Sequence, residues 1–137
     1  GVAACWFGAA ARLADFLYQA CQTKPHAYRL MYLGEVSTLL FTTKQYFHHV
    51  ANQIDQYPKQ SHELIIRILR TKVEQTAQLV LDQVGKALGA RPFCENRTFA
   101  ALAADLPVFL RQSHAAFDLE QIAKLVLQKD KGATWML

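Results

Sequence analysis

The four prolines of this 137-residue chain stand at positions 25, 58, 92 and 107, and the stretches between them carry apolar residues at helical spacing. Proline lacks the backbone N–H and breaks a helix interior, so each long interval can hold one long helix. In the first interval Val2, Trp6, Ala9, Leu13, Phe16 and Ala20 alternate in steps of four and three, which places them on one stripe. Small residues such as Ala3, Ala4, Gly8, Ala10, Ala11 and Ala14 surround that stripe and permit close approach of a neighbour. The spacing predicts a first helix over 2–21, ended by Thr23-Lys24-Pro25. A second is predicted over about 28–54, with Leu33, Val36, Leu40, Phe47, Val50 and Ile54 on its stripe, closed by Asp55-Gln56-Tyr57-Pro58.

The third helix is predicted to start at Ser61 as N-cap, with Glu63 facing the positive end of the dipole, and to run to about Leu88. Ile66, Leu69, Val73, Ala77, Val80, Val84 and Ala87 form its main stripe. Leu64, Ile65, Ile68, Leu79 and Leu81 widen that stripe beyond a two-helix seam, which predicts contacts on more than one face. Gly85 and Gly89 loosen its end and Pro92 stops it. Beyond it, Asn96 or Thr98 caps a fourth helix through Phe99, Leu102, Ala103 and Leu106, which Pro107 ends. Asp118, with Gln121 three residues on, opens a last helix in the manner of a capping box. No alternating strand pattern is present. The expected fold class is all-α: an up-and-down bundle of three long antiparallel helices, a broken fourth and a short C-terminal helix.

Composition narrows the classes of function. The net charge is a mild +4, and the basic residues are scattered, with Arg67, Arg70 and Lys72 the closest cluster. No basic strip interleaved with aromatics points to nucleic acid. A weak attraction for an anionic small molecule remains. The three cysteines, Cys5, Cys21 and Cys94, are odd in number and lack metal-site spacing. Cys5 and Cys21 fall among small apolar residues and read as buried thiols, which fits a reducing, cytoplasmic setting. His48 and His49 are adjacent and point to different helix faces, so one is expected exposed and the other packed; a metal site wants two histidines three or four apart. The sequence has no signal peptide and no apolar run long enough to span a bilayer. It opens inside an amphipathic pattern without Met, so Gly1 reads as a cut point and KDKGATWML as a natural terminus. The expectation is the C-terminal domain of a longer protein.

One segment departs from the scaffold. Asp105 to Asp118 reads DLPVFLRQSHAAFD: an apolar run holding Pro107, followed at once by Arg111, Gln112, Ser113 and His114. A greasy stretch that delivers a cation, an amide, a hydroxyl and an imidazole to one place is what a lined pocket needs. The plainer alternative is a helix-to-helix connection with a capping histidine. Ser113 and His114 are neighbours in sequence, the wrong geometry for a nucleophile and its base. Glycine-rich phosphate loops, HExxH, CxxC and GxSxG are all missing.

Three stretches carry a resemblance. They are the small-residue opening helix ACWFGAAARLADFL, the long helix ending LDQVGKALGARPF, and, most specifically, ENRTFAALAADLPVFLRQSHAAFDLEQIAKLVL. Their order resembles the C-terminal domain of the acyl-CoA dehydrogenase-like flavoproteins. The second is similar to that family's helix running into a glycine-rich turn near the flavin. The third is similar to its closing segment: an Arg, an Asp at the end of a short helix, a loop bearing the catalytic base, then a final helix. The resemblance implies N-terminal and middle domains of the same chain as partners, FAD held between domains and against a neighbouring subunit, a homo-oligomer, and an acyl-CoA-like or other small organic substrate. In the dehydrogenase branch a carboxylate removes the α-proton of an acyl thioester while hydride passes from the β-carbon to the flavin.

This chain departs from that pattern at the base. The YEGT-like motif is absent; its glutamate would fall at about Ser113, and His114 is next. Related flavin monooxygenases of the same fold look similar in placing a histidine in this loop, and a histidine starts near the pKa such a base needs. The resemblance therefore implies an acid-base or flavin-contacting role for His114, with Arg111, Gln112 and Ser113 as polar neighbours. It matches Gln83 and Gly85 to the glycine turn. The family's Arg-x-x-Phe-Gly stretch is replaced by QTKPHAYR, with His26 and Arg29 as its possible substitutes. The implied function is the C-terminal domain of an FAD-dependent oxidoreductase, inactive in isolation. The alternatives are a histidine-based flavin monooxygenase of the same fold, or a non-catalytic helical interaction or oligomerisation module whose binding face is the broad apolar surface of the third helix.

Overall fold

A computed structural model of the protein describes residues 1–111, 114–129 and 135. These described residues form an all-α bundle of six helices: α1 (Val2–Thr23), α2 (Ala27–Gln56), α3 (Glu63–Leu88), α4 (Arg91–Glu95), α5 (Arg97–Arg111) and α6 (Ala115–Leu127). No strand occurs among the described residues. No helix among them is long and apolar enough to cross a membrane.

The first three helices run up, down and up. Thr43 meets Thr76 and Glu35 meets Gln83, so numbers rise on α2 as they fall on α3. Gly1 to Ala4 line the same groove as Ile66, Leu69 and Arg70, which sets α1 parallel to α3. Leu13, Leu17, Val36, Val73, Val80 and Val84 are essentially sealed from solvent where these helices meet. Each such side chain contributes about 1.5–3 kcal/mol of burial, which offsets the entropy of ordering the chain. Edge-to-face ring pairs tie the seams: Phe7 to Phe47 between α1 and α2 at 5.4 Å, and Phe16 to Phe99 between α1 and α5 at 5.2 Å.

The helix ends have local causes. Arg29 Nη1 donates to the carbonyls of Ala20 and Lys24 at 3.4 and 3.2 Å, so a cation closes the negative end of α1. His26 Nδ1 accepts from the Arg29 amide at 3.3 Å and caps α2. Gly89 ends α3 with φ +71°, the left-handed region that favours glycine. Asn96 Oδ1 accepts from the Phe99 amide at 3.0 Å; of the two expected caps for the fourth helix, Asn96 is the one used.

Several sequence expectations need correction. Pro107 does not end the fourth helix; it lies inside α5, which continues to Arg111. Phe99, Ala103, Leu106 and Leu110 form one buried stripe, and burial of Leu110 holds the turn beyond the proline. Asp118 does not cap the last helix. α6 begins at Ala115 with His114 as N-cap, and the Asp118 carboxylate is buried against two arginines instead. The N-cap of α3 is His62 rather than Ser61. Cys21 is buried as expected, whereas Cys5 is exposed, because it falls outside the α1 stripe of Trp6, Ala10, Leu13, Leu17 and Cys21 that faces the core. His48 and His49 are both exposed, His49 stacking on Tyr46 with ring centroids 5.8 Å apart. Val2, Ile54 and Ile66 fall on the expected stripes but are largely exposed, because all three sit near helix ends at one end of the bundle.

The broken fourth helix is real, but its break lies after Arg111. Ala103 faces Leu81 and Gly85, Leu110 faces Gln75 to Leu79, and Asp118 meets Arg67 and Arg70. α5 and α6 thus run back along α3 as two pieces of one antiparallel element. Arg111 ends the first piece and His114 precedes the second.

Candidate functional site

The joint is built by packing on one side and charge on the other. Upstream, Leu110 is buried and Arg111 next to it is exposed at the end of α5. Downstream, the His114 carbonyl accepts from the Asp118 amide at 2.8 Å, closing the first turn of α6. The His114 residue is exposed and its side chain makes no cap bond. Gln112 and Ser113, the other two expected polar neighbours, lie outside the described residues.

Asp118 is the buried charge of this region, with only 3% of its surface exposed. Its Oδ1 accepts from Arg67 Nη1 at 2.6 Å, and its Oδ2 lies 3.7 Å from Arg70 Nη2. Arg67 also gives its Nε to Glu63 Oε1 at 3.0 Å, so its fork is divided between α3 and α6. The hydrogen bond to Glu63, reinforced by that to Asp118, pushes the guanidinium pKa above its already high ordinary value. The Phe117 ring covers the Arg67 guanidinium at 5.4 Å. The sequence grouped Arg67 with Arg70 as its closest basic cluster but gave no partner for it. Their spacing of three on one helix face, with an acid at Asp118 inside an apolar segment, was the available signal.

Around the joint the surface is apolar and open. Val108, Phe109, Phe117 and Leu119 expose about half of their area each, at 53%, 49%, 53% and 50%. Beside Leu110 an open groove of about 420 Å³ is lined by Glu74, Gln75, Gln78 and Leu79 of α3. The joint thus carries an exposed cation and imidazole between two helices that leave aromatic and aliphatic side chains uncovered. By itself it encloses nothing.

The remaining expected cofactor contacts fall toward the C-terminal end of α3, whereas the joint lies beside its middle. The 8 positions from Gln75, beside Leu110, to Gln83 rise roughly 12 Å at 1.5 Å per residue. Gln83 Nε2 donates to Glu35 Oε1 at 2.7 Å, while its Oε1 is buried with no partner among the described residues. Arg29 is engaged at the α1 end and keeps a buried Nε in the same condition. Gly85 lines an open groove of about 580 Å³ with Gly89, Ala90, Phe93 and Ala103. A flavin group fits this end in part: the floor is of small residues beside an aromatic ring, while Arg29 and Gln83 are already bonded within the chain. Arg111 and His114 therefore stand on the two sides of the joint, while Arg29, Gln83 and Gly85 lie toward the C-terminal end of α3. A single ligand touching both sets must be extended along α3. Among the described residues no three of His, Cys, Asp and Glu gather as metal ligands.

Comparison of the chain with known protein families, with curated proteins and with solved structures found no match.

Proposed function

We propose that this chain is the C-terminal helical domain of an FAD-dependent oxidoreductase of the acyl-CoA dehydrogenase-like kind, lending one wall to the flavin and substrate site and a surface to subunit assembly. The observation that carries this reading is the joint itself: Arg111 and His114 stand exposed among Val108, Phe109, Phe117 and Leu119, whose apolar faces this chain leaves uncovered. A wall whose opposite side belongs to other domains has this form. A helix, a break and a final helix in that order support the likeness to the closing segment, although Asp105 lies inside α5 and not at its end. FAD would supply hydride acceptance. On this chain His114 would hold or take a proton from the substrate, Arg111 would orient an anionic group, and the apolar flanks would exclude water. Gly85, Gln83 and Arg29 would meet the more distant part of the cofactor. Acyl thioester dehydrogenation and a histidine-based monooxygenation are the two chemistries within this reading.

The test is the absorption spectrum of the intact protein, followed by bleaching with candidate acyl thioesters. A flavin band is expected; a colourless protein that still oligomerises overturns the reading. His114→Ala should abolish turnover with fold and flavin retained, and unchanged turnover removes His114 from the chemistry.

A second reading, a non-catalytic helical interaction or oligomerisation module, is favoured by a different observation. The expected site residues divide between the middle and the C-terminal end of α3, and Arg29 and Gln83 already bond within the bundle. Under that reading the uncovered apolar surface is a protein-binding face.

A further inference from the structure

The geometry points to Asp118 as the positioning residue of the candidate site, the one group that joins the α3 scaffold to His114. Its carboxylate reaches outward to α3, taking Arg67 at 2.6 Å and Arg70 at 3.7 Å. Its amide reaches back one turn and holds the His114 carbonyl at 2.8 Å. No other described residue makes both connections. This rests on the proposed reading for what His114 does, and on the contacts of Asp118 for how His114 is held.

The charges around Asp118 explain why the joint depends on it. Arg67 has a second acid, Glu63, on its own helix. When the Asp118 charge is removed, Arg67 retains Glu63 and α3 keeps its internal pairing, while α6 loses its ionic tie to the scaffold. Burial makes the tie directional, because a carboxylate sealed from water stays with its cations. The Phe117 ring over Arg67 keeps water from that side. The Arg67–Asp118 pair thus sets where the first turn of α6 begins, and His114 is the residue at which it begins.

The imidazole proton signals of the full chain read this directly. Of the five histidines, His26, His48 and His49 lie away from α3 and α6 and serve as internal standards, while His62 caps α3 next to Glu63, the other partner of Arg67. In Asp118→Asn, which keeps the volume and removes the charge, the His114 signal is expected to shift or broaden several times more than any of the three standards. Arg67→Met should reproduce that change, and Arg67→Lys, which keeps a cation, should restore most of the native signal. An unmoved His114 signal in folded Asp118→Asn overturns the inference. So does a common shift of all five, which reports general loosening. If Asp118→Asn does not fold, Arg70→Gln removes only the longer contact; it should move His114 in the same direction, and no movement overturns the inference. Flavin absorbance of the intact protein is read separately. A colourless protein overturns the flavin reading and leaves the histidine signals to decide the role of Asp118.

Discussion

The hydroxyls of Thr43 and Thr76 lie 2.7 Å apart inside the α2–α3 seam, both closed to solvent. Thr43 also bonds the Leu39 carbonyl at 2.8 Å. A carbonyl only accepts, so the Thr43 proton goes to Leu39 and the Thr76 hydroxyl donates to Thr43. The pair is thereby ordered, and it fixes the register of two long helices at a point where apolar side chains alone would allow sliding.

This order predicts unequal single variants. Thr43→Val removes the acceptor and strands the Thr76 hydroxyl in the core, at a cost of about 1–2 kcal/mol. Thr76→Val leaves Thr43 satisfied by Leu39 and should cost about half as much. The double valine variant strands nothing and should lie within about 1 kcal/mol of the native chain, so the two effects are not additive. Urea unfolding of the four proteins measures this; a Thr76→Val cost equal to or above that of Thr43→Val would refute the assigned direction of donation, and simple additivity would refute the coupling.

Pro107 and Leu110 oppose each other within α5. The proline withholds an amide from the Ala103 carbonyl, while Leu110, only 6% exposed, anchors the turn that follows. Pro107→Ala is expected to stabilise by about 1–2 kcal/mol, less than the full helix penalty because proline also restricts the unfolded chain. Leu110→Ala should cost about 2–3 kcal/mol through the cavity it leaves. A thermal melt in which Pro107→Ala is destabilising would show that the proline is required rather than tolerated.

What was legible in the sequence was periodic. The stripe from Leu69 to Ala87 on α3 is buried as its spacing implied, and Pro25 and Pro58 stand in the links as expected. What was not legible depended on partners distant in sequence. Thr43 falls on the buried face of α2 but reads as polar, and only Thr76, 33 residues away, makes that position tenable. Asp118 reads as a cap because caps are local, yet it answers to Arg67, 51 residues away. Pro107 reads as a stop because proline is a local veto; the burial of Leu110 against α3 and its neighbours overrides it. In the candidate site the joint was found, but its support by Asp118 was not, because an ion pair between elements leaves no periodic trace.

Tyr46 makes stability depend on alkaline pH. Burial pushes its phenol pKa above the ordinary value of about 10. Its hydroxyl donates to the Ile65 carbonyl at 3.3 Å, which also requires the proton. The unfolded chain releases this proton near pH 10, and the folded chain releases it later. The contribution is therefore complete below about pH 10 and is lost as pH rises through the folded value. Tyr32 shifts in the same direction, first through its hydrogen bond with Tyr28 at 3.0 Å. Urea midpoints stepped through the alkaline range should fall, and Tyr46→Phe should flatten part of that slope. An unchanged slope would assign the effect to the Tyr28–Tyr32 pair.

The uncovered wall predicts a separation between folding and docking. Phe109 and Leu119 expose about half their surface, at 49% and 50%, on either side of the joint. Replacing both by glutamine keeps helix-forming residues in place, so the chain's own stability should change by no more than about 1 kcal/mol. If other domains cover these faces, each replacement removes about 1 kcal/mol of burial at the contact, and the pair together weakens flavin retention by at least about tenfold. Flavin content after dialysis, set against the urea midpoint of the same preparation, tests this. Retained flavin with a lowered midpoint would mean that the two side chains serve the bundle and not the wall. A protein without flavin whose assembly weakens would instead place the same surface in a protein–protein contact, and the interaction-module reading would stand.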